Sequence, residues 1–268
     1  MRTGPSPANR RRAPVGVLGL AVVAGLFFAL PFVGVLNRAD WANLPRDLTS
    51  ARSVEALRLS LVCSLIATAV SILFGTPLAW VLARTEMPGR SVLRALVLLP
   101  MVLPPVVGGV ALLSAFSLRS PIGGWLHDVA DIQLTFSSAG VVMAETFVAM
   151  PFFVITVEGA LRSMDTRFEE AAATLGADRA TVFRRVTIPM IGPSMMAGAV
   201  LAWARALGEF GATITFAGNI AGRTRTLPLA VYLELESDPQ AAVALSLVLL
   251  GVSLVVLVAL RDRWFIRT

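Results

Sequence analysis

The stretch Asp165-Thr166-Arg167-Phe168-Glu169-Glu170-Ala171-Ala172-Ala173-Thr174-Leu175-Gly176-Ala177-Asp178 is a polar island between long apolar runs, and its reading decides how the rest of the chain is arranged. Thr166 followed three residues later by Glu169 has the spacing of a capping box, in which the hydroxyl takes the Glu169 amide and the Glu169 carboxylate reaches back to the Thr166 amide. A helix is therefore expected to start here and to run through Ala171, Ala172 and Ala173, which are strong helix formers. It stops at Gly176, the residue that adopts a left-handed cap most cheaply. Asp178 then caps a second short helix, expected to extend through Arg185 and to close before Pro189. A two-turn helix is marginal in water, because nucleation costs more than its few hydrogen bonds return, so it needs a partner surface. Phe168, Ala172 and Leu175 fall on one side at helical spacing and form a small apolar knob suited to a groove on another protein.

Outward from the island the chain is too apolar for a soluble domain: 56% of its 268 residues are hydrophobic, against about half in ordinary globular proteins. The expected fold class is an all-α integral membrane protein embedded in a lipid bilayer. Six transmembrane helices are read at 15–36, 59–83, 93–116, 139–157, 191–216 and 241–260, each long enough for a hydrocarbon core of about 30 Å. The lead over 1–14 carries Arg2, Arg10, Arg11 and Arg12 and reads as disordered. With the run that follows it imitates a signal peptide, yet that run is long enough to span and no small-x-small site closes it, so it is kept as the first span. The domain organisation is thus a lead over 1–14 and one transmembrane domain over 15–268.

Arginine supplies all of the basic charge, since the sequence contains no lysine. Fifteen arginines fall in the lead, the turn after the second span, the region 158–190 and the tail, and seven on the other side, with Arg205 inside the fifth span. The positive-inside rule then places both termini and the island in the cytoplasm and the chain in the cytoplasmic membrane. Arginines that flank apolar runs have this topological role, which argues against nucleic-acid binding. A single cysteine, Cys63, excludes a disulfide framework, and the lone His127 in a loop has no Cys or His companion, so no metal site is expected. No Gly-x-Ser-x-Gly turn stands near that histidine, and no catalytic residue is assigned.

The third and fifth spans carry the unusual residues. Pro104-Pro105 and Gly108-Gly109 interrupt the third, and such breaks survive in lipid only where protein or a water-filled path satisfies the freed carbonyls, so this helix faces the bundle interior. The fifth contains Arg205 and Glu209, four residues apart on one face and able to pair, with Gly208 and Gly211 beside them. Two readings stand: a neutralised pair that fixes helix packing, or direct contact with an anion. Pro104, Pro105, Arg205, Gly208, Glu209, Gly211 and Thr213 are the candidates for a translocation path or gate. An ion-driven secondary transporter would need buried acids, for which Glu145 and Glu209 qualify, but also two internal repeats, and none is visible.

The order Glu170-Ala171-Ala172, then Gly176, then Val186 and Ile188-Pro189 resembles the EAA signature of the membrane subunits of ABC importers, with Val186 and Ile188 where Ile and Leu are usual. The resemblance implies that the first short helix is a cytoplasmic coupling helix between spans four and five, seated in a cleft of an ATPase subunit. Thr166, Phe168, Glu169, Glu170, Ala171, Ala172, Leu175 and Gly176 would carry that contact. A second stretch, Ala206-Leu207-Gly208-Glu209-Phe210-Gly211-Ala212-Thr213 with Phe216 to Leu229, is similar to the molybdate branch of oxyanion importer permeases. The sulfate and thiosulfate branch shares its Gly-Glu-Phe-Gly core and an Ala-Gly-Asn loop. The implied partners are two copies of a cytoplasmic ATPase, an extracytoplasmic molybdate-binding protein and a second copy of this chain as a homodimer. Sulfate, thiosulfate and tungstate stand as alternative cargoes. Without lysine the chain cannot supply the cation of a phosphate-cradling loop, so ATP and Mg belong to the partner ATPase and this chain is expected to bind no cofactor. Asn219, Arg223 and Arg225 are the outer-loop candidates, of which the two arginines would guide an oxyanion or meet the delivery protein, or else stay as solvated loop charges.

Overall fold

A computed structural model describes residues 14–264, so all but the last residue of the lead expected over 1–14, and the last four residues of the chain, lie outside the described residues. The described residues form thirteen α-helices and one π turn. In chain order these are α1 (Val15–Arg38), α2 (Leu44–Leu48), α3 (Ala51–Arg84), α4 (Arg90–Val102), α5 (Pro105–Phe116), α6 (Pro121–Ala130), α7 (Ser138–Ser163), α8 (Arg167–Thr174), α9 (Arg179–Val182), the π turn (Phe183–Thr187), α10 (Ile188–Leu207), α11 (Gly211–Phe216), α12 (Leu227–Ser237) and α13 (Pro239–Trp264).

Among the described residues five helices are long and apolar enough to cross a membrane: Gly16–Arg38, Ala51–Arg84, Ser138–Ser163, Arg179–Leu207 and Pro239–Val256. A sixth crossing would combine Pro105–Phe116 with Pro121–Ala130, which meet at 56°. The third span expected at 93–116 is therefore not one helix. Leu103 and Pro104 are extended, with ψ of 139° and 132°, because a residue before proline is pushed out of the helical region and neither proline can donate to the turn behind it. The loop expected at 117–138 also contains a helix, α6, started by Ser120, whose hydroxyl accepts the Gly123 amide at 3.0 Å. The second span begins earlier than read: Ser50 caps α3, whose 34 residues extend roughly 51 Å at 1.5 Å per residue. The outer loop expected over 219–240 likewise holds α12.

The core is α7, packed between α3 and α10. Phe153 is its wedge. A Cβ at Gly75 of α3 would stand 2.8 Å from the Phe153 ring, and one at Gly198 of α10 would stand 3.3 Å from it. Glycine is what lets both backbones close on the ring. Ala67, Ala79, Ala149, Ala202 and Ala206 are fully buried around it. In lipid the gain comes from close packing of small residues more than from expelling water, and this seam is of that kind. The α1 helix lies outside this core and packs on α13. One end of the bundle carries α8 with the last turns of α3 and α7, and the opposite end carries α2, α6 and α12.

Candidate functional site: the α8 end and the break between α10 and α11

At the α8 end the local chemistry differs from the expected capping box. Thr166 is itself helical (φ −67°, ψ −17°) and its side chain caps nothing, whereas a cap residue must be extended to turn its oxygen onto the helix. Asp165 takes over, accepting the Arg167 amide at 3.0 Å. Glu169 does not reach back to Thr166: one carboxylate oxygen accepts the Thr187 hydroxyl at 2.6 Å and the other lies 3.4 Å from Arg84 at the end of α3. The expected stop at Gly176 is present, with φ of +87°. Gly176 donates to the Ala173 carbonyl and Ala177 to the Ala172 carbonyl, the two bonds of a Schellman ending.

Asp178 caps α9 as expected, accepting the Thr181 amide at 2.9 Å. The Thr181 side chain and amide hold its carboxyl below the usual carboxylate value. The second helix does not close before Pro189. Pro189 cannot donate to the carbonyl four residues back, and the chain absorbs the lost bond as a π turn: the Ile188 amide bonds Phe183, five residues earlier, and the helix runs on into α10. Phe168 is 56% and Leu175 88% exposed, so the apolar knob points away from the bundle, with Ala172 half-buried and Glu170 and Ala171 exposed. Behind α8 lies a cleft of about 620 Å³, walled by Pro77 and Trp80 on one side and Ala173, Ala177 and Phe183 on the other.

Glu158 was not singled out by sequence reasoning. It is 1% exposed on α7 and receives Arg162 at 2.8 Å and Arg94 of α4 at 3.5 Å. Arg162 also donates to the Leu82 carbonyl at 3.3 Å. The four-residue spacing of Glu158 and Arg162 was legible; the arrival of Arg94 was not.

Inside the bundle α10 ends at Leu207, and Glu209 lies in the break before α11 rather than within a continuous fifth span over 191–216. Glu209 is 1% exposed. Its carboxylate pairs with the half-buried Arg205 and accepts the Ala212 amide at 2.8 Å, so it both neutralises that arginine and caps the first turn of α11. The two broken spans meet here. A Cβ on Gly211 would stand 2.9 Å from the Pro105 Cβ, and one on Gly109 would stand 2.9 Å from the Ala212 carbonyl oxygen, so α5 and α11 touch backbone to backbone. Pro104, Pro105, Arg205, Glu209 and Gly211 thus gather at one joint, next to Gly208, the C-cap of α10. Thr213 is fully buried, and its hydroxyl and one oxygen of the buried Glu145 carboxylate have no hydrogen-bond partner among the described residues.

At the opposite end the Arg225 side chain is not a free loop charge. The Arg225 Nε donates to the Asn219 side-chain oxygen at 2.9 Å, and the Ile220 carbonyl accepts the amides of Arg223, Thr224 and Arg225. Ser138 of α7 donates to the Arg223 carbonyl at 2.7 Å, and Ser60 of α3 accepts the Leu227 amide at 2.6 Å. Arg223 keeps its side chain exposed, while Arg225 is half-buried.

Residues 71–267 match the family described as binding-protein-dependent transport system inner membrane component. The chain belongs to that family. This inner membrane component is 49% identical over 247 residues to the molybdenum transport system permease protein ModB of Mycobacterium tuberculosis, covering 91% of this chain and 92% of the relative. It is 39% identical over 223 residues to the sulfate transport system permease protein CysT of Salmonella typhimurium, covering 83% of this chain and 80% of the relative. Its fold is similar to a crystal structure of a bacterial ABC transporter involved in the import of the acidic polysaccharide alginate, with a TM-score of 0.74 and 17% identity over 95% of this chain and 96% of the other. This transport component is a multi-pass membrane protein with the fold of an ABC importer permease.

Proposed function

We propose that the chain is the membrane-spanning subunit of an ATP-driven importer that carries molybdate across the cytoplasmic membrane. The observation that carries the cargo is the 49% identity to a molybdenum transport permease over nine-tenths of both chains, against 39% to a sulfate permease. The sulfate likeness is the second reading. The arginine bias supports cytoplasmic termini and a cytoplasmic α8. Phe168 and Leu175, large apolar side chains left in water on a short helix, support docking of α8 into a groove of a separate ATPase subunit. A single such helix per chain supports a homodimer with two ATPase copies, and family membership supports delivery by an extracytoplasmic binding protein.

The mechanism is mechanical. ATP-driven closure of the ATPase pair draws the two α8 helices together. The motion passes from α8 into α10 and along it to the Arg205–Glu209 joint, and from α11 to α5 through the Gly211–Pro105 contact. A two-state bundle then opens the path to receive the oxyanion. Arg205, neutralised by Glu209 at that joint, is suited first to hold the break and only second to touch cargo.

The test is uptake by the purified complex in vesicles, with its ATPase and binding protein, using labelled molybdate. ATP-dependent uptake competed by tungstate and weakly by sulfate is expected. Sulfate competing as strongly as unlabelled molybdate would move the assignment to the sulfate reading. Uptake that needs only a proton gradient would end the ATP-driven one.

A further inference from the structure

We propose that Glu169 is a positioning residue that latches the coupling helix to the transmembrane bundle by joining Thr187 at the head of α10 to Arg84 at the foot of α3. The proposal rests on the reading of α8 as a coupling helix and adds how its movement would reach the bundle.

Three observations converge on it. First, both Glu169 oxygens are committed to the chain's own residues, at 2.6 Å to the Thr187 hydroxyl and 3.4 Å to Arg84. A residue meant for a foreign surface would point outward, as Phe168, Glu170 and Leu175 do. Second, every residue of α8 stays exposed or half-buried, and a cleft of about 620 Å³ separates part of it from Pro77 and Trp80 of α3. Close packing therefore does little to hold α8 against α3, and a polar fastening is the contact that spans the gap. Third, Thr187 is 1% exposed and is the last residue of the π turn, where the helix has a looser hydrogen-bond spacing. Such turns are common at functional positions. The Trp80 and Phe183 rings meet edge to face at 6.3 Å and line the same cleft, and this apolar flank strengthens the charged hydrogen bond from Thr187.

A short helix that only touched the bundle through a yielding π turn would pivot when pulled, and the pull would be lost in the turn. With Glu169 bound to Thr187, the displacement bypasses the turn and enters α10 directly. With Glu169 also bound to Arg84, α3 moves with it. The carboxylate acts through other residues and touches neither cargo nor nucleotide.

The experiment uses the full complex with its ATPase and binding protein and reads three quantities: ATPase recovered per permease, ATP hydrolysed, and molybdate taken up per ATP. Glu169→Gln keeps an acceptor for Thr187 and loses the pairing with Arg84; Thr187→Val does the reverse; Thr187→Ser restores the hydroxyl. Leu175→Asp is the control for docking. The expected result is ATPase recovery at the unmodified level in all three latch variants. Uptake per ATP should fall about tenfold in Thr187→Val, the scale of one charge-assisted hydrogen bond, fall less in Glu169→Gln, and return to within about twofold in Thr187→Ser. The exchange Arg84→Glu with Glu169→Arg should recover part of what either single change loses. Unchanged uptake per ATP in both Glu169→Gln and Thr187→Val overturns the latch. So does loss of the ATPase from Glu169→Gln as complete as from Leu175→Asp, which would make Glu169 a docking residue. If Leu175→Asp keeps its ATPase, the docking reading fails by itself, while the uptake ratio still judges the latch. Should Glu169→Gln not fold, the Thr187 pair carries the same comparison.

Discussion

Two glutamates in this chain were read from spacing alone, and the bundle treats them differently. Glu209 pairs with Arg205, one turn away, as its position suggests. Glu169, with a threonine at the distance a capping box requires, ignores it and binds Thr187 and Arg84 instead. The difference lies in the surroundings. At 1% exposure, Glu209 has no water to fall back on, so the nearest cation and the nearest free amide decide its geometry. Glu169 sits at the margin, half-buried, where several partners compete and the strongest wins. An arginine and a hydroxyl brought in by the fold outcompete one backbone amide, which Asp165 makes unnecessary by capping in its place. Local spacing governs where alternatives are excluded and loses authority where they are plentiful.

The sharpest way to break this comparison is Arg205→Leu. It strands Glu209 as a buried unpaired carboxylate, which costs about 3–5 kcal/mol, and the expected outcome is poor recovery of folded protein and a large drop in thermal midpoint in detergent. The double change Arg205→Leu with Glu209→Gln should recover much of it. A melting curve for the single variant that matches the unmodified protein would mean that the pair does not hold the break. Next in size is Gly211→Ala, whose Cβ would lie 2.9 Å from Pro105; forcing α5 from α11 should cost about 1–3 kcal/mol and reduce uptake. The same substitution at Gly159, where nothing lies within 4 Å, should be neutral.

At the island the contrast can be refined. Asp165→Ala should destabilise α8 by about 0.5–2 kcal/mol, the ordinary worth of a cap, while Thr166→Ala should stay within about 0.5 kcal/mol. Amide exchange over 167–170 separates them, and the reverse order would restore the capping box. The smallest effect is at Asp178. Its carboxyl titrates below its ordinary value of 3.8 because Thr181 favours the charged form. A lowered folded-state pKa contributes stability above the ordinary value that disappears as pH falls through the folded one. Protection of the Thr181 amide should therefore hold at pH 5 to 7, fade only below about pH 4, and lose its pH dependence in Asp178→Asn.

Much of the architecture was legible from residues. Long apolar runs announced the membrane. Gly176 and Asp178 marked the ending of one short helix and the start of the next, because a left-handed glycine and an Asx cap are chosen by backbone geometry within a few residues. Pro104-Pro105 announced a break, though not that α6 would follow it at an angle. The π turn was illegible, since Pro189 reads as a stop when only the local chain is considered. The same proline is tolerated once α10 is held against α3 and α7 and the lost bond can be spread over a wider turn. Glu158 stayed hidden because one of its two arginines comes from α4, which approaches only in the folded bundle.

The sequence by itself determined what depends on neighbours along the chain: hydrophobic length, helix caps, the pairing of Arg205 with Glu209, and the signature that carries the family likeness. Tertiary structure alone decided which distant helices supply the partners of Glu169 and Glu158, and that the breaks of the third and fifth spans meet at Pro105 and Gly211. The physical reason is that a charge removed from water takes the best partner within a few ångströms. Only the folded chain determines which residues those ångströms contain.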